Sequence, residues 1–152
     1  MKYVLILACL AILTPAATAS AASTQSPIQE RIDSLIASHG GVQTSPNTVV
    51  WEGGAIILEV WDPSVSTTQA TACAAGRYCV FSSTFYTGNK ISYSTCPATL
   101  TAFGSLGGPV RSIKNNRSSG TVRAYSGTTL KSTLPPGAGA GSVLAIDKIT
   151  CS

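Results

Sequence analysis

Two cysteines, Cys73 and Cys96, bracket a stretch that limits the architectures open to this chain. Between them Phe81 is followed five positions on by Tyr86 and seven positions on by Gly88, and a short apolar–polar alternation through Ile91, Ser92 and Tyr93 leads to Ser94-Thr95-Cys96. An aromatic on each side of a tight bend, with glycine where a side chain would obstruct the backbone, predicts a folded-over β-hairpin. The pattern specifies an architecture and names no activity.

The other cysteines give the compartment and the covalent frame. Lys2 opens the chain, residues 3–13 are an apolar core, and Ala17-Thr18-Ala19 is a small-x-small cleavage site, so residues 1–19 read as a secretory signal. The apolar core, at roughly 11 residues, is too short for a helix to cross a bilayer of about 30 Å. No later segment approaches that hydrophobic length, so the mature protein is expected to be exported, extracellular and without a transmembrane segment. Leu7-Ala8-Cys9 only superficially resembles a lipid-anchor site. Cys73, Cys79, Cys96 and Cys151 remain after removal of the signal, an even number suited to two disulfides in an oxidising compartment. Three connectivities are open. The favoured one joins Cys73 to Cys79, closing a small loop at the entry to the first strand, and Cys96 to Cys151, tying the first hairpin to the C-terminus. A zinc site would require two closely spaced cysteine pairs, which the sequence lacks.

Charge divides the mature chain unevenly. Residues 20–71 carry Arg31 against Glu30, Asp33, Glu52, Glu59 and Asp62, a net −4, and residues 72–152 carry eight cations against Asp147, a net +7. The two parts could attract one another, or the basic part could meet an acidic partner.

Local signals separate an extension from a domain. Ser26-Pro27-Ile28-Gln29 reads as a capping box with proline at the first helical position. Ile28, Ile32, Leu35 and Ile36 share one face, and Gly40-Gly41 stops the helix. Thr48-Val49-Val50-Trp51 and residues 55–61 flank Glu52-Gly53-Gly54 as a hairpin. A helix and a two-stranded unit cannot by themselves bury Trp51, Trp61 and the apolar run 56–58, so they must dock on the following domain or on a partner. Residues 64–71 are a Ser/Thr linker. From residue 72 the chain reads as all-β, with strands expected at 78–81, 90–93, 110–114, 122–125 and 143–149 and a glycine-rich loop at 135–141. The expected boundaries are therefore 1–19 signal, 20–71 extension and linker, and 72–152 domain.

Phe81-x4-Tyr86-x-Gly88, followed by Ser94-Thr95-Cys96-Pro97 and Leu100, resembles the first half of a βγ-crystallin Greek key, and Gly108 to Asn115 resembles its closing strand. Gly120 to Tyr125, with Leu134-Pro135-Pro136-Gly137 and Ala145 to Ile149, is similar to a second key, although Leu130 and Ser132 stand where the aromatic and the glycine would be. The entry Cys73…Gly76-x-x-Cys79-x-Phe81 and the preceding Asn47 to Gly54 hairpin are similar to secreted bacterial proteins grouped as peptidase inhibitor family I36. The resemblance covers residues 72–151. It implies an all-β, βγ-crystallin-like double Greek-key sandwich preceded by a short helix and β-hairpin extension, and an inhibitor of an extracellular peptidase as the activity.

Many βγ-crystallin domains bind calcium just before the closing strand. In the register set by Arg111-Ser112 the two acidic or amide positions are Gly107 and Gly108, which supply no oxygen ligand, so calcium is disfavoured and no cofactor is expected. The run Asn115-Asn116-Arg117-Ser118-Ser119 falls after the closing strand and reads as an Asn/Ser turn. Its Asn116-Arg117-Ser118 is also a glycosylation sequon, which matters only in a eukaryotic secretory pathway. Catalysis has little to work with. His39 sits at a helix C-terminus as a favourable end charge, there is no Gly-x-Ser-x-Gly, and the six carboxylates are dispersed.

Binding is what remains. A preorganised loop loses little entropy on association, which makes Ala74, Ala75, Gly76, Arg77 and Tyr78 the candidate inhibitory loop, with 134–142 the less suitable one because its Pro-Gly run looks too flexible. The alternative is a secreted basic adhesion or antimicrobial, toxin-like module that meets acidic cell-surface polymers through Arg111, Lys114, Arg117 and Arg123. Export and the scarcity of aromatics among these cations argue against nucleic acid. A monomer is expected.

Overall fold

The structure, a computed structural model, describes residues 25–63 and 72–152. The expected signal segment, Cys9 and the linker 64–71 lie outside the described residues.

Helix α1 spans Pro27–His39. The Ser26 hydroxyl accepts from the Gln29 backbone N–H, proline takes the first turn, and Gly40 ends the helix at φ 68°. The capping box is only half formed, because the Gln29 side chain reaches Asp33 and Gln43 instead of returning to Ser26. Ile32 is completely buried, with Ile28, Leu35 and Ile36 packed beside it on the same face.

Eleven short strands follow among the described residues: β1 Val42–Ser45, β2 Thr48–Trp51, β3 Ile56–Glu59, β4 Arg77–Phe81, β5 Lys90–Tyr93, β6 Ala98–Leu100, β7 Ser112–Asn116, β8 Val122–Ser126, β9 Thr129–Leu134, β10 Gly139–Ala140 and β11 Lys148–Cys151. They form two antiparallel sheets. One has seven strands in the order β1-β2-β3-β5-β4-β7-β10, and the other has four in the order β6-β11-β8-β9. Two four-strand units can be traced, β4 to β7 and β8 to β11, and each sends its third strand into the sheet of the other. Thus β6 pairs with β11, and β10 with β7. The exchange explains why one core holds Tyr78, Val80, Ile91 and Ile113 of the first unit with Val122, Ala124, Leu134 and Ile149 of the second.

The extension docks on the first unit. Strand β3 pairs with β5, setting Ile56 opposite Tyr93 and Leu58 opposite Ile91. The charge asymmetry contributes one buried contact here, since Lys90 Nζ lies 2.7 Å from Glu59 Oε1 and its side chain is 5 % exposed. Strand β1 is an addition to the expected hairpin. Its sequence Val-Gln-Thr-Ser shows little apolar signal because it is an edge strand with only half-buried and exposed positions.

Three expected segments need correction. The glycine-rich loop 135–141 contains β10, whose Gly139 and Ala140 pair with Lys114 and Ile113. The strand expected at 143–149 is regular only from Lys148. Before it, Val143 and Ile146 are buried around Ala145 at φ 54°, with a single bridge from Ile146 to Val110. The asparagines read as a turn instead finish β7. Buried Asn115 donates its amide to the Gly120 and Leu134 carbonyls, and Asn116 donates to the Cys73 carbonyl at 2.6 Å. Both amides fasten the second unit or the entry loop to β7, a tertiary duty with no local signature.

Candidate functional site

The site is built on the entry to β4. Alternation along this strand divides its side chains between two faces. Tyr78 and Val80 enter the main core, whereas Cys79 and Phe81 form a small second cluster with Cys73, covered by Tyr86. Cys73 and Cys79 are bonded, with Cα atoms 5.8 Å apart. Between them Ala74, Ala75 and Gly76 are exposed. The turn is closed by Arg77 N–H donating to the Ala74 carbonyl at 3.2 Å, and Gly76 N–H donates to the Asn116 carbonyl at 2.9 Å. From outside, Arg117 donates to the Gly76 carbonyl at 3.2 Å and also to those of Ser94 and Ser119. A covalent clamp and three backbone anchors therefore hold a three-residue tip whose side chains contribute almost nothing but methyl groups.

The same geometry removes two members of the expected five-residue loop. Tyr78 is fully buried and stacked on Tyr93, with centroids 5.3 Å apart. Burial pushes its phenol up to about 12, the nearby Arg117 charge acting weakly in the opposite direction. Arg77 is half-buried, and its guanidinium donates to the Gly54, Ala55 and Ser92 carbonyls, holding the extension against β4 and β5. The exposed tip is thus 74–76. Strand propensity at 77–81 and the apolar partners of position 78 decide this, and neither is visible in the loop's own composition.

The predicted second loop, 134–142, is pinned through β10 and by Lys114 Nζ donating to the Gly137 carbonyl at 2.6 Å. Its glycines have a packing reason. A Cβ at Gly139 would lie 2.5 Å from the Tyr86 hydroxyl, so the run is the seat on which the first unit's aromatic rests.

Of the four candidate basic residues, only Arg111 is classed as exposed. Lys114 and Arg117 are engaged by carbonyls as described, and Arg123, on β8 in the other sheet, donates to the Ser152 hydroxyl at 2.7 Å. Three of the four are thus engaged within the protein. At the glycines in calcium register, a Cβ on Gly107 would collide with the Arg31 guanidinium, which donates to the Leu106 carbonyl at 3.1 Å. Burial lowers the pKa of Arg31 from its ordinary value. Among the described residues no group of three or more His, Cys, Asp or Glu is arranged to hold a metal, and no helix is long and apolar enough to cross a membrane.

One exposed element carries no role in the sequence pattern. Phe85, 73 % exposed, sits at the tip of the β4–β5 hairpin with φ 54°, and Tyr86 follows at φ 63°. Two successive left-handed non-glycine residues are strained. They are held by Phe85 N–H donating to Gly141, Tyr86 N–H donating to the Ser112 hydroxyl, and that hydroxyl donating to Ser83.

Residues 66–134 match the model of peptidase inhibitor family I36. The matched I36 region begins before the first bridge and ends with β9, so it contains the braced tip and the folded hairpin. Residues 1–65 and strands β10 and β11 fall outside it. No curated protein and no solved structure matches the chain. The two disulfides, Cys73–Cys79 and Cys96–Cys151, fit an oxidising environment.

Proposed function

We propose that this chain is a secreted, non-enzymatic inhibitor of an extracellular peptidase, and that it meets the enzyme through the tip 74–76. The observation that carries the proposal is the disulfide-closed, backbone-anchored and exposed turn inside the I36-matching region. Such a turn is already ordered before association, so little conformational entropy opposes binding. The scaffold supports a βγ-crystallin-like double Greek key, because its two four-strand units exchange their third strands. The extension, described over residues 25–63, acts as a docked part of a monomeric protein, joined through β3–β5 pairing and the Arg77 contacts.

The basic-adhesion alternative has less support, since Lys114, Arg117 and Arg123 are each engaged within the protein. Titration of the purified protein against secreted metallo-, serine and cysteine peptidases separates the two. Inhibition gives a stoichiometric end point with at least one class. Replacing Ala74 and Ala75 together by glutamate should weaken it by about tenfold or more, a loss of about 1.4 kcal/mol, without unfolding the exposed turn. Unchanged peptidase activity across the panel would overturn the proposal. Binding to anionic polymers that vanishes in 1 M salt, where screening acts within about 3 Å, would favour the alternative.

A further inference from the structure

The β4–β5 hairpin sets a large apolar side chain where the core has no use for it. Phe85 is the most exposed of the large hydrophobic residues described, and its ring belongs to neither core cluster. Its φ of 54° lies in the region that glycine and asparagine enter readily and a bulky residue enters at a cost. Tyr86, next along at φ 63°, has a packing reason, since its ring covers Phe81. Phe85 has none. We infer that Phe85 is the side-chain anchor of the peptidase contact, and that the enzyme offers it an apolar pocket of aromatic size. This rests on the reading of the chain as a peptidase inhibitor and adds a residue to the tip 74–76.

Two independent observations carry it. The first is order. The Phe85 N–H donates to the Gly141 carbonyl at 2.7 Å, the Tyr86 N–H to the Ser112 hydroxyl at 3.0 Å, and the Thr87 hydroxyl to the Thr84 carbonyl at 2.8 Å. The ring itself lies against Gly141, where a Cβ would come within 3.3 Å of it. An exposed aromatic held in this way brings apolar area to a partner and loses little freedom on binding. The second observation is placement. Cys73 directly precedes the tip 74–76 and Tyr86 directly follows Phe85. Both cover one small cluster with Cys79 and Phe81, on the face of β4 turned away from the main core. The two tips therefore flank one face of the sheet, at opposite ends of a five-residue strand that spans about 17 Å. One interface of standard size, about 800 Å² per partner, covers that span. The tip 74–76 offers only methyl groups, so the side chain that fills a pocket comes from elsewhere on this face, and Phe85 lies inside the I36-matching region. Leu130, also exposed, sits on β9 in the other sheet.

The test measures inhibition of thermolysin, subtilisin and papain, one enzyme from each of the metallo-, serine and cysteine classes, by the disulfide-bonded protein, Phe85→Asn and Leu130→Asn. Asparagine tolerates the left-handed conformation and removes the ring. Phe85→Asn should weaken inhibition of the responding enzyme by about tenfold or more, while its melting temperature stays unchanged or rises as strain is relieved. Leu130→Asn should inhibit as the parent does. Undiminished inhibition by Phe85→Asn would overturn the anchor and leave the inhibitor reading standing. No inhibition of any of the three enzymes by the parent protein would overturn both. A lower melting temperature in Phe85→Asn would also overturn the anchor, because the ring would then support the fold. An equal loss in Leu130→Asn would do the same. So would parent dimers that Phe85→Asn dissolves, since a second copy would then be the occupant.

Discussion

The two four-strand units share one strand plan and differ in how their first hairpins turn. In the first, residues 82–89 fold back over the sheet, with Phe85 and Tyr86 in left-handed conformations and Tyr86 packed edge-to-face on Phe81 at 5.7 Å. In the second, β8 and β9 are joined directly through Gly127 and Thr128, and the Asp147 carboxylate accepts from the Gly127 N–H. The folded hairpin depends on the other unit, since Gly141 accepts from Phe85 N–H and Gly139 leaves room for Tyr86. The tight hairpin draws its support from its own unit. Leu130 and Ser132, where an aromatic and a glycine would complete a second folded hairpin, therefore mark a different turn instead of a damaged copy. An exposed, strained element with several outside anchors and a compact turn with few also differ in what can break them.

The covalent links give the largest contrast. The Cys96–Cys151 bridge spans 55 residues and staples β6 to β11, one of the exchanged strand pairs, whereas Cys73–Cys79 spans 6. Replacing both members of the long bridge by alanine should cost about 4 kcal/mol, and of the short bridge about 2 kcal/mol, by loop-closure entropy. Denaturant unfolding of the two double variants measures both. A larger loss from the short bridge would mean that the braced tip, not the exchange, is the main support of the first unit.

The hairpin glycines come next. Gly88 has φ 77°, and a Cβ there would stand 2.5 Å from the Ser82 hydroxyl and 2.8 Å from that of Ser83. Gly88→Ala should destabilise by about 3 kcal/mol, combining left-handed strain with the clash. Gly127 has φ 56° and open space around it, so Gly127→Ala should cost only about 1 kcal/mol. Equal thermal shifts in the two variants would erase the distinction between the hairpins.

The last effect is confined to alkaline solution and to the first unit. Burial holds the Tyr78 phenol up to about 12 against an ordinary 10.0, and burial raises Tyr93 as well. Above pH 10 the unfolded chain releases these protons while the folded protein retains them. Stability is thus fully present below pH 10 and declines as the pH rises through the folded value of about 12. Urea midpoints measured upward from pH 8 should fall in that window, and Tyr78→Phe should flatten the decline. An unchanged profile in the variant would remove Tyr78 from the account.

Legibility followed the range of the interactions. The helix was readable because its cap, proline, apolar face and terminal glycines lie within a few turns of one another. The β2–β3 hairpin and strands β4 and β5 were readable through alternation and aromatic content. Strand β10 was not, because a Gly-Ala pair becomes a strand only when β7 offers its edge and Tyr86 demands a neighbour without a side chain. The candidate site divides in the same way. The cysteine-closed entry was marked locally, but the boundary between the exposed tip and buried Tyr78 depends on Tyr93, 15 positions further along. Lys114 and Arg117 looked like free surface charge because a sequence shows charge without showing the carbonyls that will accept from it.

By itself, then, the sequence determined an antiparallel β chain with a helical lead-in, four cysteines for two bridges, and a folded first hairpin. These follow from turn chemistry, periodicity and side-chain shape acting over short spans. Only the tertiary structure decided that third strands are exchanged, that Arg77, Lys114 and Arg117 serve as internal fasteners, and that the Phe85 ring is left exposed against Gly141 of the second unit. The physical reason is that a hydrogen-bonding group or an aromatic face takes its role from whichever partner packing brings to it, and that partner lies far away along the chain.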